Sequence, residues 1–146
     1  MGRRKTLSGL VVADADALVA LTLEGDPLHK KAVEISRLLE SRSLIVVFPV
    51  TVFPEAITFL KRALNQTEKA HKINHQLQKG AYSVQYLDKE ILARATYYFD
   101  RADSKKNTFF DAIVAACAQN LKADAIFSFD EWYPKLGFKL ASELKN

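Results

Sequence analysis

The chain has a single cysteine, Cys117, and no apolar run that approaches the roughly 20 residues of a membrane-spanning helix. A lone cysteine closes no disulfide within the chain, so the fold draws no stability from one. Its setting, DAIVAACAQ, reads as a small buried hydrophobe in a reducing compartment rather than a catalytic thiol. Internal repeats, low-complexity tracts and linkers are also missing, which leaves residues 1–146 as one domain. Nor does one sign of charge dominate. Lys and Arg total 21 against 17 acids, a net charge of +4, a balance that permits binding to a polyanion without requiring it. The basic residues fall into short groups (Arg3, Arg4 and Lys5; Lys61 and Arg62; Arg101, Lys105 and Lys106; Lys135 and Lys139). Only folding can assemble these into a phosphate-binding surface; taken singly, each reads as solvated surface.

What is present is a 49% apolar composition, enough for one sizeable core at this length. The opening MGRRKTLSGLVVADADAL begins like a secretory leader, but Asp14 and Asp16 break its apolar core after about seven residues. The expected location is therefore the cytoplasm. MGRRKT also satisfies the loose myristoylation pattern, which is not taken here as a lipid anchor.

Residues 7–13, LSGLVVA, read as a buried strand ended by Asp14. A short helix is predicted over 15–23, then a turn at EGDP, with Pro27 opening a helix to Ser41 that presents Leu28, Ala32, Ile35 and Leu39 on one face. SLIVVFP is a second strand, and 50–64 a helix with Pro54 tolerable only near its start. Residues 65–80 form a polar helix capped by Gly80. AYSVQYL is a third strand, and 88–102 a helix whose Ile91, Leu92, Ala95 and Phe99 turn inward. NTFFDAIVAACAQNL is apolar nearly all round, as befits a central helix. DAIFSF is the last clear strand, with a short one near Phe138 to Leu140. Strands of continuous apolar character alternating with helices imply an α/β three-layer sandwich around a mainly parallel sheet.

Four acids interrupt or adjoin these apolar stretches: Asp14, Glu55, Asp111 and Asp130. In open parallel sheets the functional crevice lies beyond the carboxyl ends of the strands. Asp14 and Asp130 stand at such ends, and Glu55 and Asp111 fall early in helices, so all four can converge on one edge. Each also has a structural reading. Asp14 and Asp130 suit caps of following helices or turns. Thr108 and Asp111 have capping-box spacing, and an acid near a helix start is favoured by the dipole, as Glu55 would be. Together they carry more weight. Clustered buried carboxylates repel one another unless a cation lies among them, and oxygen-only ligands select a hard ion such as magnesium or manganese. Such an ion can activate water and stabilise the charge that develops on a phosphodiester.

LVVADADALVAL, VFPEAITFLKR, TFFDAIVAACA and IFSFDEWYPKLGF resemble the four acidic motifs of PIN-domain proteins, in particular the single-domain ribonuclease toxins of the VapC type. The resemblance runs over nearly the whole chain, in order. It implies a Mg2+- or Mn2+-dependent endoribonuclease, usually a homodimer and often held inactive by a cognate antitoxin. By position it makes Asp14, Glu55, Asp111 and Asp130 the catalytic and metal-binding acids and Ser128 the hydroxyl that precedes the last of them. The chain departs from the family at the first motif. Where a small hydroxyl residue and then Ser or Asn usually follow the Asp, it has Ala15 and Asp16; the latter is either an added ligand or a helix cap.

Other patterns compete. Asp14 and Asp16 also resemble the D-x-D of haloacid-dehalogenase phosphatases, but too little chain follows Ser128 to complete that set. His71 and His75 share a helical face as two zinc ligands do, yet HKINH lacks the glutamate of metalloprotease chemistry. His29 carries no signal. YYF at 97–99 and FF at 109–110 offer rings for base stacking, although aromatics on helices are more often core. A PIN-like module that binds RNA or protein without catalysis is the remaining alternative.

Overall fold

A computed structural model describes residues 9–144. The basic group Arg3, Arg4 and Lys5, the leader-like and myristoylation-like features, and the first residues of the predicted first strand lie outside the described residues. Strands β1 (Leu10–Ala13), β2 (Ile45–Pro49), β3 (Ser83–Gln85) and β4 (Ala125–Phe127) form one wholly parallel sheet in the order β3-β2-β1-β4. Val11 pairs with Val46 on one side and Ala125 on the other, so β1 is central. Val11, Val12 and Ala13 are all fully buried. Consecutive buried residues require both faces of a strand to be covered, which explains why β1 reads as an unbroken apolar run.

Helices provide that cover. Between β1 and β2 lie α1 (Ala15–Thr22) and α2 (His29–Ser41); between β2 and β3, α3 (Val52–Thr58) and α4 (Thr67–Gln78). Then come α5 (Lys89–Asp100) and α6 (Phe109–Asn120) before β4, and the short α7 (Trp132–Lys135) after it. α6 packs across β1, β2 and β4 and carries α5 on its outer side, while α2 and α3 pack on β2 and against α1. Every residue from Ala112 to Ala118 is buried. The alanines let the backbone of α6 approach the sheet closely, and this is the central helix that the all-round apolar pattern implied. Phe48, Phe53 and Tyr82 close the β2–β3 end of the core with ring centroids 5.0–5.6 Å apart.

The structure departs from the sequence reading in local detail. α2 starts at His29 rather than Pro27, because the Asp26 carboxylate accepts the Leu28 N–H at 2.8 Å and holds a turn there. Leu28 is consequently exposed. In α5, Ile91 and Ala95 face inward as expected, but Leu92 and Phe99 do not. A helix that lies on the outer side of another buries one narrow stripe, and Tyr98 takes the third place on it, its hydroxyl donating to Gln119 at 2.8 Å. The strand expected near Phe138 to Leu140 is a single bridge from Leu140 to Ile126. The helix expected over 50–64 changes pitch, continuing beyond Thr58 as a π-helix from Phe59 to Ala63. Gly80 ends α4 as predicted, with φ +78° and a Schellman pair of bonds, Ala81 N–H to Gln76 O and Gly80 N–H to Leu77 O.

Candidate functional site

β2 and β3 extend the sheet to one side of β1, whereas the chain crosses back to place β4 on the other. The connections therefore diverge beyond the carboxyl ends of β1 and β4 and leave a crevice between them, the usual place for a site in such sheets. Asp14 immediately follows β1, and Ser128, Phe129 and Asp130 follow β4.

Asp14 is buried and caps α1. Its Oδ1 accepts the Ala15 N–H at 2.6 Å and its Oδ2 accepts the Tyr133 hydroxyl at 2.6 Å. That hydroxyl also lies 3.4 Å from the Asp111 carbonyl, but it has one proton, and the shorter contact takes it. Asp16 reaches across the crevice. Its Oδ2 accepts the Ser128 hydroxyl at 2.9 Å and the Phe129 N–H at 2.8 Å, while its Oδ1 is buried with no hydrogen-bond partner. Asp16 is thus neither the cap of α1 nor a surface acid; it staples the ends of β1 and β4 together and leaves one oxygen unspent. The Ser128 Oγ in turn accepts the Asp130 N–H at 3.1 Å, and the Asp130 Oδ1 accepts the Trp132 N–H at 2.9 Å. Asp130 is thereby fixed at the start of α7.

Asp111 and Glu55 enter from helix starts. Thr108 and Asp111 form the predicted capping box: the Thr108 N–H donates to the Asp111 Oδ2 at 2.9 Å and the Asp111 N–H to the Thr108 Oγ1 at 3.3 Å. Glu55 stands in the first turn of α3, directly after Pro54, whose missing N–H is harmless where helical N–H groups have no partner. The four acids singled out in the sequence, with Asp16 as a fifth, influence one another electrostatically. Burial raises the pKa of Asp14 well above the ordinary carboxylate range, and the charges of Asp16, Asp111 and Glu55 push it further. Asp16 is raised by burial and by Asp130, against its hydrogen bonds from Phe129 and Ser128 and the influence of the nearby Ala17 N–H. Glu55 is raised to about 7 by burial, then by Asp111 and Asp16. Asp111 is raised by burial and by Asp130, against its bonds with Thr108. Each charge named here as acting on these acids is another carboxylate.

This environment suits a hard cation. A positive ion would relieve the shared repulsion and give the Asp16 Oδ1 a partner. Among the described residues, however, no three or more His, Cys, Asp or Glu side chains already stand together as a metal centre. Several of the carboxylate oxygens are instead turned to donors of the chain itself. His71 and His75 lie 6.2 Å apart on the exposed side of α4, and His29 joins α2 to α1 through a 2.7 Å contact with the Ala20 carbonyl. Cys117 is fully buried, and its thiol is pushed up to about 12, chiefly by burial, so it is inert. Tyr133 is the participant that the sequence reading missed. Its only signal was an aromatic position shortly after Asp130, which is indistinguishable from ordinary core.

Comparison with known proteins bears on the family and the fold. The sequence profile of the PIN domain matches residues 11–139. Among solved structures, VapC20 of Mycobacterium tuberculosis, a sarcin-ricin-loop-cleaving toxin, superimposes with a TM-score of 0.74 over 88% of this chain and 95% of that one, at 22% sequence identity. Curated protein sequences give no match. No helix among the described residues is long and apolar enough to cross a membrane.

Proposed function

Since the chain belongs to the PIN-domain family, we propose that it is a divalent-metal-dependent endoribonuclease, the toxin of a toxin–antitoxin pair. The observation that carries this reading is the convergence of Asp14, Asp16, Glu55, Asp111 and Asp130 at the β1–β4 crevice, with one buried Asp16 oxygen left without a partner. Asp14, Asp111 and Asp130 would hold Mg2+ or Mn2+, with the free oxygen of Asp16 available as a further ligand. Such an ion supplies a water acidic enough to ionise near neutral pH and offsets negative charge on the phosphodiester.

The chain's own groups do the rest. Tyr133 and the Ala15 N–H fix the orientation of Asp14. Ser128 holds both Asp16 and the backbone of Asp130. Glu55, raised to about 7 in the metal-free fold, either binds metal or orients the attacking water. The basic groups at Lys61 and Arg62, at Arg101, Lys105 and Lys106, and at Lys135 and Lys139 each lie close in sequence to one of the acids and guide the RNA backbone. A homodimer, an antitoxin partner and a cytoplasmic setting follow from the same family reading. The phosphatase alternative for Asp14 and Asp16 loses its basis, since Asp16 is engaged with Ser128 and the PIN profile spans both motifs.

The test is cleavage of an end-labelled RNA pool by purified protein with magnesium, with manganese and with chelator, beside a folded Asp14→Asn, Asp111→Asn double variant. Metal-dependent cutting that is absent from the variant is expected. Cutting that persists in the variant or in chelator contradicts the proposal.

A further inference from the structure

If RNA is the substrate, as proposed above, the surface beside Glu55 bears on how the strand is held. α3 does not simply end at Thr58. It widens into a π-helix over Phe59–Ala63, closed by the Leu64 N–H on the Phe59 carbonyl at 3.2 Å. The change of pitch has a geometric effect. Four residues of α-helix overshoot a full turn by about 40°, so residues spaced by four drift steadily around the axis. A π-helix holds more residues per turn and turns back the other way. Glu55, Phe59 and Ala63, and beside them Thr58 and Arg62, are therefore kept on one face. All of these line an open cleft of ≈ 620 Å3 whose other border includes Phe110 of α6. π-helical turns recur at functional sites, and this one is continuous with the acid cluster.

The chemistry of the lining selects an occupant. Phe59 is 46% exposed and Phe110 42% exposed, one ring from each helix. Arg62 supplies a guanidinium suited to a phosphate. Phe110 directly precedes Asp111, and Glu55 lies within the cleft itself, so whatever fills it lies against the carboxylates. A base face fits between exposed rings only if it is unpaired, because duplex RNA keeps its base faces stacked and shows proteins its backbone and groove edges. We propose that the Phe59–Phe110 cleft is the subsite for an unpaired nucleotide next to the scissile phosphate, with its base on the two rings and its phosphate on Arg62.

The experiment uses the full chain in chelator at low salt, with a short single-stranded RNA that carries 2-aminopurine at each position in turn, and with the same strands annealed to their complements. Wild type is expected to quench the fluorophore at one or two positions and to bind duplex at least about tenfold more weakly. Phe59→Ala and Phe110→Ala should each weaken binding about tenfold or more and remove the quench. Phe110→Tyr should keep both, and Arg62→Gln should weaken binding and flatten its salt dependence while keeping the quench. Both rings are exposed, so melting temperatures should be unchanged. Ring variants that bind and quench like wild type overturn the proposal. So do ring variants that turn a dimer into a monomer at unchanged RNA affinity, which would assign the cleft to a second copy of the chain. Cleavage measured in parallel separates the two readings. Cutting at normal rate by ring variants of unchanged affinity removes the subsite alone, whereas quenching by a protein that fails to cut RNA in magnesium or in manganese removes the nuclease reading and keeps the base-binding cleft.

Discussion

The crevice between β1 and β4 and the double layer of α5 and α6 both rest on buried side chains, but burial costs them differently. In the helical layer, Ile91 and Ala95 meet the alanines of α6, and the polar Tyr98 hydroxyl finds Gln119. The Arg94 Nε is buried there without a partner, although its Nη2 meets the Glu90 carboxylate at 3.5 Å. At the crevice, Asp14, Asp16, Glu55 and Asp111 all have raised pKa values, and the Asp16 Oδ1 has no partner. One region stabilises the fold, and in the other the carboxylates escape their shared repulsion only by holding protons or by sharing a cation. Substitutions should therefore separate activity from stability according to region.

The sharpest separation is expected from Asp14→Asn. Cleavage should fall by about a thousandfold or more, on the scale of lost charge stabilisation at an active site, while the metal-free protein melts no lower than wild type. A variant that unfolds instead would place Asp14 among the structural residues. In the helical layer, Ile91→Ala should cost about 2–5 kcal/mol in denaturant unfolding and leave the activity of the folded fraction unchanged. Its neighbour Leu92→Ala should cost less than about 0.5 kcal/mol, because Leu92 faces solvent. Equal costs for the two would overturn the assignment of the buried stripe.

Tyr133→Phe tests the seam between the regions. It removes the donor to Asp14 and should cost about 1–3 kcal/mol, with a smaller loss of activity than Asp14→Asn. The mildest perturbation is pH. Glu55 has an ordinary value of 4.5 and titrates at about 7 in the fold, so between those values the native state keeps a proton that the unfolded chain has lost. Stability of the metal-free protein therefore falls as pH rises through that window, and Asp14, Asp16 and Asp111 act in the same direction. A drop on the order of 5 °C in melting temperature from pH 5 to 8 is expected, flattened by saturating magnesium. A rise would reverse the electrostatic account.

Much of this organisation was legible before the structure. β1 and α6 announce themselves as unbroken apolar runs because both are covered on every side, and the acids stand out because they interrupt those runs. Thr108 and Asp111 were readable as a capping box from spacing alone. The residues that escaped are those whose partners are distant in sequence. Asp16 looked like a choice between ligand and helix cap, since its bonds to Ser128 and Phe129 span more than a hundred residues. Tyr133 looked like core, and it is core, with one polar atom aimed at Asp14. Periodicity offered Leu92 and Phe99 as well as Ile91 and Ala95, and only the packing of α5 on α6 chose between the two stripes. The π-helical turn after α3 had no local signal, because nothing in FLKRA forbids an ordinary α-helix.

The central claim is that the carboxylates of the β1–β4 crevice share a divalent cation. Manganese binding measured by electron paramagnetic resonance, with simultaneous titration of released protons, tests it most directly in wild type, Asp14→Asn and Asp16→Asn. Saturable binding with proton release near neutral pH, lost in Asp14→Asn and weakened in Asp16→Asn, is the result expected. Absence of binding, or binding of equal strength in all three proteins, would contradict the account.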